Sequence, residues 1–259
     1  MGSLSDYSED ALLDHILMVS SLTQPSGIYM ALSTADPLDD ASGIAEPSGG
    51  GYARIAVNNW TPAASRGTQN EDIVTFAEAR LSWGTITHFA LYDALTGGNM
   101  LAHGSLSTSK AVGNGDSIYF AAGDVNILIS AGGFSDVYAN YVLDHLFKGT
   151  SLTVPSNIFV ALATAATVDA DTGSTITEPA DGYARVAHIA WDAASGGATE
   201  NTGVVTYAVA SGVWASVTHF ALIDDSGNMM LHGALDAAIA VGIGDAANWI
   251  DGALDITLG

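Results

Sequence analysis

Trp83-Gly-Thr-Ile-Thr-His88-Phe-Ala-Leu-Tyr-Asp93 decides the reading of this chain, because it occurs twice. Residues 214–224 repeat it as Trp214-Ala-Ser-Val-Thr-His219-Phe-Ala-Leu-Ile-Asp224, at an offset of 131 residues. Each copy is rich in β-branched and aromatic residues and runs into a turn, Leu95-Thr-Gly-Gly-Asn99 or Asp225-Ser-Gly-Asn228. That pattern predicts a buried strand feeding a hairpin. Met100-Leu-Ala-His103-Gly104 and Met229-Met-Leu-His232-Gly233 supply the returning strand.

The repetition extends in both directions. Leu13-Asp14-His15 matches Leu143-Asp144-His145. Leu12, Leu13, Ile16 and Leu17 form one apolar face, so residues 5–19 predict a helix with Ser5 as N-cap, and residues 135–147 its counterpart. His15 and His145 sit where a helix C-terminus favours a cationic ring. Residues 27–33 and 157–163 read as strands buried on both faces. Long acidic loops follow, carrying Asp36, Asp39, Asp40 and Glu46 in one copy and Asp169, Asp171, Glu178 and Asp181 in the other. They lack the twelve-residue EF-hand pattern, so Ca²⁺ binding stays open and solvated loop charge is the default.

Gly51-Tyr52-Ala53-Arg54 then matches Gly182-Tyr183-Ala184-Arg185. These open strands at residues 55–58 and 186–190, which end near Trp60 and Trp191. Polar linkers follow at residues 62–70 and 193–201. Later strands are expected at 73–76 and 204–207, at 118–120 and 248–250, and at 125–129 and 254–258. The reading is mainly β: two tandem homologous β-sandwich-like domains, residues 1–131 and 132–259, each preceded by one short helix, with about seven strands apiece.

Composition narrows the function classes. The 259 residues carry 28 Asp plus Glu against 6 Lys plus Arg, a net charge of −22. Such a surface repels phosphate and argues against nucleic acid and anionic membranes as partners. It fits a salt-rich setting, where self-repulsion is screened. Hydrophobic residues make up 48%, enough to build real cores. The absence of Cys removes disulfides, thiolate metal sites and Cys nucleophiles. The first residues have neither the basic nor the apolar region of a secretory signal, and Gly2 is only a weak myristoylation cue. No apolar run is long enough to span a membrane.

Candidate residues are those that recur. Arg54 and Arg185 are retained in a chain poor in bases, which points to carboxylate partners, within the acidic loops or on a neighbouring subunit. His88 and His219 lie on the strand adjacent to the one that carries His103 and His232. With Asp93 or Asp224 they could ligate a metal, but His88 and Asp93 lie on opposite strand faces, so hydrogen-bonded structural histidines are the simpler reading. Trp83 and Trp214, like Trp60 and Trp191, would be sugar platforms if exposed; their neighbours favour core packing. There is no G-x-S-x-G elbow and no phosphate-binding loop. Paired carboxylates for glycoside hydrolysis leave no sequence signature, so that chemistry stays open.

Several features together resemble a phage family: the helix ending near Leu-Asp-His, the Gly-Tyr-Ala-Arg strand, the Ala193–Thr199 linker, the Trp-x-x-Val-Thr-His-Phe stretch, the Gly-Asn-(Met/Leu)-Leu turn and the final Gly-Asp strands. The chain is similar to the small tail-fibre-type virion proteins of tailed bacteriophages, some related to head-decoration or cement proteins, here in tandem duplication. The resemblance implies a non-enzymatic structural protein on the virion exterior, in capsid decoration or as a tail-fibre or adaptor module. It implies other virion proteins (major capsid or tail proteins) as partners and a homo-oligomer; a trimer would present six similar units. It carries no catalytic residue, cofactor or metal. The alternatives are a host-glycan-binding module and a phage polysaccharide-degrading glycosidase.

Overall fold

The structure, a computed structural model, describes residues 2–258. It is mainly β, with two short helices. The first repeat holds β1 (Gly2–Leu4), α1 (Asp6–Ile16), β2 (Tyr29–Ser33), β3 (Ile55–Ala56), β4 (Gly67–Gln69), β5 (Val74–Thr75), β6 (Gly84–Tyr92), β7 (Met100–Val112), β8 (Tyr119–Phe120) and β9 (Asn126–Leu128). The second holds β10 (Gly133–Phe134), α2 (Asp136–Leu143), β11 (Ile158–Ala163), β12 (Val186–Ala187), β13 (Ala198–Glu200), β14 (Val205–Thr206), β15 (Val217–Asp224), β16 (Met229–Ile239), β17 (Asn248–Trp249) and β18 (Asp255–Thr257).

The duplicated hairpin is the centre of each sheet. β6 pairs antiparallel with β2 on one side and β7 on the other, within a seven-stranded sheet ordered β3-β2-β6-β7-β1-β9-β4. β15 does the same between β11 and β16, in a five-stranded sheet ordered β10-β16-β15-β11-β12. Phe89 to Tyr92 and Phe220 to Ile223 are consecutively buried, as expected of central strands covered on both faces. Asp93 organises the first turn: Oδ1 accepts the Asn99 N–H at 2.7 Å and Oδ2 the Asn99 side-chain amide at 2.9 Å. Gly98 is required there, because a Cβ would lie 2.3 Å from Asp93 Oδ1 and the backbone has φ +73°.

Both helices start as expected. Ser5 Oγ accepts the Ser8 N–H at 3.3 Å and donates to the Met100 carbonyl; Ser135 Oγ accepts the Tyr138 N–H at 3.2 Å and donates to the Met229 carbonyl. α1 stops earlier than residue 19, since Met18 turns left-handed at φ 67°. α2 continues as a π-helical turn, Asp144–Lys148, closed by Gly149 at φ 73°.

Short strands escaped the sequence reading. β1 precedes α1 and joins β7 to β9, with Gly2 opposite Gly104 and Ile127. A Cβ on Gly2 would lie 2.6 Å from the His103 carbonyl, so that glycine has a packing role. The supposed linkers contain β4 and β13, whose partners are β9 and β18. Segments of two or three residues are too short to display a period of two.

The compact units do not coincide with the sequence repeats. Among the described residues, one contains residues 2–9, Thr23–Ser130 and Asn140–Leu152; the other contains Asp10–Leu22, Ala131–Ala139 and residues 153–258. Each unit therefore draws its sheets from one repeat and a helical segment from the other.

Candidate functional site

The repeated polar residues converge on the acidic loop of each repeat. Arg54 leaves the strand β3 region and grips Glu46 with two nitrogens: Nη2 lies 2.7 Å and Nε 3.1 Å from Oε1. Its remaining nitrogen donates to the Ala94 and Gly97 carbonyls at 3.1 and 2.7 Å, and the guanidinium lies 3.5 Å from the centre of the Tyr92 ring. One side chain thus ties the acidic loop to the hairpin turn. Tyr52 completes the knot. Its hydroxyl donates to Glu46 Oε2 at 2.8 Å and accepts the Leu32 N–H at 2.9 Å. Burial, before the nearby Glu46 charge, pushes the Tyr52 phenol well above its ordinary range.

The second repeat builds the same knot. Arg185 grips Glu178 at 2.8 and 2.9 Å and also donates to the Gly173 carbonyl, while Tyr183 donates to Glu178 at 2.8 Å. The hydrogen bond to Glu178 holds the guanidinium above its ordinary pKa. The carboxylate partners inferred for Arg54 and Arg185 are therefore the loop residues Glu46 and Glu178.

Trp83 and Trp214 stand edge-on to these tyrosines, at 5.4 Å in both repeats. Both are buried, as are Trp60 and Trp191, so none is a sugar platform. The Trp214 indole N–H donates to the Asp181 carbonyl at 3.3 Å.

His88 and His219 belong to a second cluster. Each ring Nδ1 pairs with the preceding threonine hydroxyl, Thr87 or Thr218, at 2.9 Å. The neighbouring His103 and His232 reach back to the acidic loop: Nε2 lies 2.7 Å from Asp39 in one repeat and 2.9 Å from Asp169 in the other. Asp36 Oδ1 is 4.0 Å from both His88 Nε2 and His103 Nδ1. Asp93 and Asp224 play no part in this cluster; they hold their turns. Among the described residues no group of three or more His, Asp or Glu side chains is poised to hold a metal ion.

The loop carboxylates also shape their own backbone. Asp36 accepts the Leu38 N–H at 3.2 Å, Asp40 that of Ser42 at 2.9 Å and Asp171 that of Val168 at 2.9 Å. The Ser42 bonds hold the Asp40 carboxyl below its ordinary range. Beside the first loop lies a shallow groove of 450 Å³, lined by Asp6, Tyr7, Asp39, Asp40, Tyr92 and Asn99 among others. It is an acidic, open surface.

Two further structural residues went unnoticed in the sequence, although their matched positions were a signal. Asn70 and Asn201 are fully buried. Asn70 donates to the Asp72 and Ala121 carbonyls and accepts the Val125 N–H; Asn201 donates to the Gly203 and Ile250 carbonyls and accepts the Ala253 and Leu254 N–H groups. Each stitches its linker to the last strands.

No curated protein sequence matches the chain. The family described as "Podophage GP4 fiber I protein gp80" matches it twice, over residues 3–128 and 133–257. Those two segments reproduce the duplication and together take in almost every element described above, and the chain belongs to this phage fibre family, as a tandem pair of its module.

Proposed function

We propose that this protein is a non-catalytic component of the virion exterior, a compact fibre or adaptor module that binds other virion proteins through its acidic loops. The observation that carries this reading is the use of the repeated polar residues. Arg54, Glu46 and Tyr52, with Arg185, Glu178 and Tyr183, are spent on fixing the loops to the sheets. The result is a rigid surface rich in carboxylates. In a chain of net charge −22, such a surface suits a basic patch on a capsid or tail protein, where complementary charge sets orientation and on-rate. The fibre family supports assignment to the particle. A repeated loop on a tandem chain would give each protein two similar contacts and raise avidity on a symmetric platform.

Immunogold labelling of intact particles tests this. Label on the exterior is expected, on the tail for a fibre or adaptor and over the head for a decoration protein. Particles without label would overturn it. Changing Asp36, Asp39 and Asp40 to Lys should reduce incorporation into particles without unfolding the chain; unchanged incorporation would remove the loop from the contact.

A further inference from the structure

The helical segments make the same pair of contacts in both compact units. Asp10 and Asp14, one turn apart on α1, belong to the unit whose sheets come from the second repeat. Asp14 Oδ1 accepts the Ala194 N–H at 2.8 Å, and the Asp10 carboxylate accepts the Gly196 and Gly197 N–H groups at 3.2 and 2.7 Å. Asn140 and Asp144 stand at the matching helical positions and belong to the unit whose sheets come from the first repeat. Asp144 Oδ1 accepts the Ala63 N–H at 2.7 Å, and Asn140 Oδ1 accepts the Arg66 N–H at 3.0 Å.

The receiving element is a tight hairpin in each case. Ala64 bridges Gly67 and Ser195 bridges Ala198, so the two residues between form the turn. Those residues, Ser65 with Arg66 and Gly196 with Gly197, all have positive φ. Such a turn leaves backbone N–H groups pointing outward, and a side-chain oxygen is the natural acceptor. The first unit adds apolar and cationic support: Phe147 packs on Trp60 with ring centroids 4.9 Å apart, and Lys148 Nζ donates to the Trp60 carbonyl at 2.6 Å.

We infer that this helix-end plug and hairpin socket form a self-recognition site whose partner is another copy of the same module. In this chain each plug is taken up by the socket of the other repeat. The linker at Ala131 and Gly132 then only raises the local concentration of an association that the side chains themselves specify. The duplication is a covalent fusion of two mutually exchanged modules, and this conclusion is independent of the fibre reading.

The full-length chain carries the test. A site-specific protease sequence inserted between Ala131 and Gly132, both exposed, allows the repeats to be separated chemically after folding. After cleavage the protein should still elute as one species of the intact mass, 26.4 kDa. Separation into two independent pieces of half that mass would overturn the proposal. Asp10→Ala, Asp14→Ala, Asn140→Ala and Asp144→Ala together, in the same cleavable chain, should weaken the association of the cleaved halves by about 100-fold or more. The isosteric set Asp10→Asn, Asp14→Asn and Asp144→Asn keeps an acceptor oxygen at each position and should leave the halves together. Tryptophan fluorescence before cleavage reports whether each variant is folded. A folded alanine variant whose halves associate as tightly as the parent would overturn the assignment of these side chains.

Discussion

The two sockets build one backbone shape from different chemistry. In the second repeat Gly196 and Gly197 take φ of 60° and 72°, which glycine adopts without strain. In the first repeat Ser65 and Arg66 take 50° and 65°, where each Cβ costs about 1–2 kcal/mol. The Arg66 side chain offsets that cost. It folds back to donate to the Ile129 carbonyl at 3.2 Å and to the Ser130 carbonyl. The histidine pockets diverge in the same way. In the second repeat the Thr167 hydroxyl pairs with His232 Nδ1 at 3.0 Å. The first repeat has Pro37 at the matching position, and buried His103 Nδ1 has no hydrogen-bond partner among the described residues. A third divergence lies in the core, where Phe76 is matched by Tyr207, whose hydroxyl donates to the Val160 carbonyl at 2.9 Å. Backbone geometry is what the repeats share; side-chain satisfaction is settled locally in each.

The largest effect should come from the loop knots. Arg54 serves a carboxylate, two carbonyls and an aromatic ring with its side chain 10% exposed, whereas Arg185 is 26% exposed. Arg54→Ala should cost about 3 kcal/mol and Arg185→Ala about 2 kcal/mol, because each removal strands an equally exposed carboxylate but Arg54 is the more buried arginine and also loses its contact with the Tyr92 ring. Urea denaturation measures both, and equal losses would break the comparison.

Alkaline titration separates the cores. Burial, then the Tyr183 and Glu178 charges, raise the Tyr207 pKa above its unfolded value. The stability held by the neutral phenol is whole below about pH 10 and is lost as pH rises beyond it. Tyr207→Phe, which makes the second core resemble the first, should move the alkaline unfolding midpoint upward. An unchanged midpoint would mean that Tyr207 does not limit alkaline stability.

The histidine pockets predict a smaller, opposite pair of changes. Thr167→Val should destabilise by about 1 kcal/mol by leaving His232 Nδ1 unpaired, and Pro37→Thr should recover a similar amount if the hydroxyl reaches His103. Thermal melts of the two variants should shift in opposite directions. Smallest is the socket strain. Ser65→Gly should stabilise by about 0.5 kcal/mol, and Gly196→Ala, with open space around its Cβ, should destabilise by about as much, because the φ strain is partly offset by the change in unfolded-chain entropy. The same melts read both.

Much of this architecture was legible before any coordinates, because local patterns encode it. The double occurrence of Trp83 to Asp93 announced the duplication and the central hairpin. Ser5 announced a helix cap, and the scarcity of bases announced that Arg54 and Arg185 have carboxylate partners. Burial of Trp83 and Trp214 followed from their apolar neighbours. These features depend on residues a few positions apart, where periodicity and turn chemistry act directly.

Tertiary structure decided what lies between distant residues. It chose Glu46 and Glu178 as the partners of the arginines, and it paired His103 with Asp39 across 64 positions instead of with the nearer Asp93. It revealed β1, whose three residues carry no pattern and are strand only because β7 and β9 flank them. Above all, it sent each helix end into a unit built on the other repeat's sheets. The Asp10/Asp14 and Asn140/Asp144 pairs each place two acceptor side chains one helical turn apart. The shared backbone shape of the two sockets makes either one able to accept a helix, and only chain connectivity and packing select which is filled.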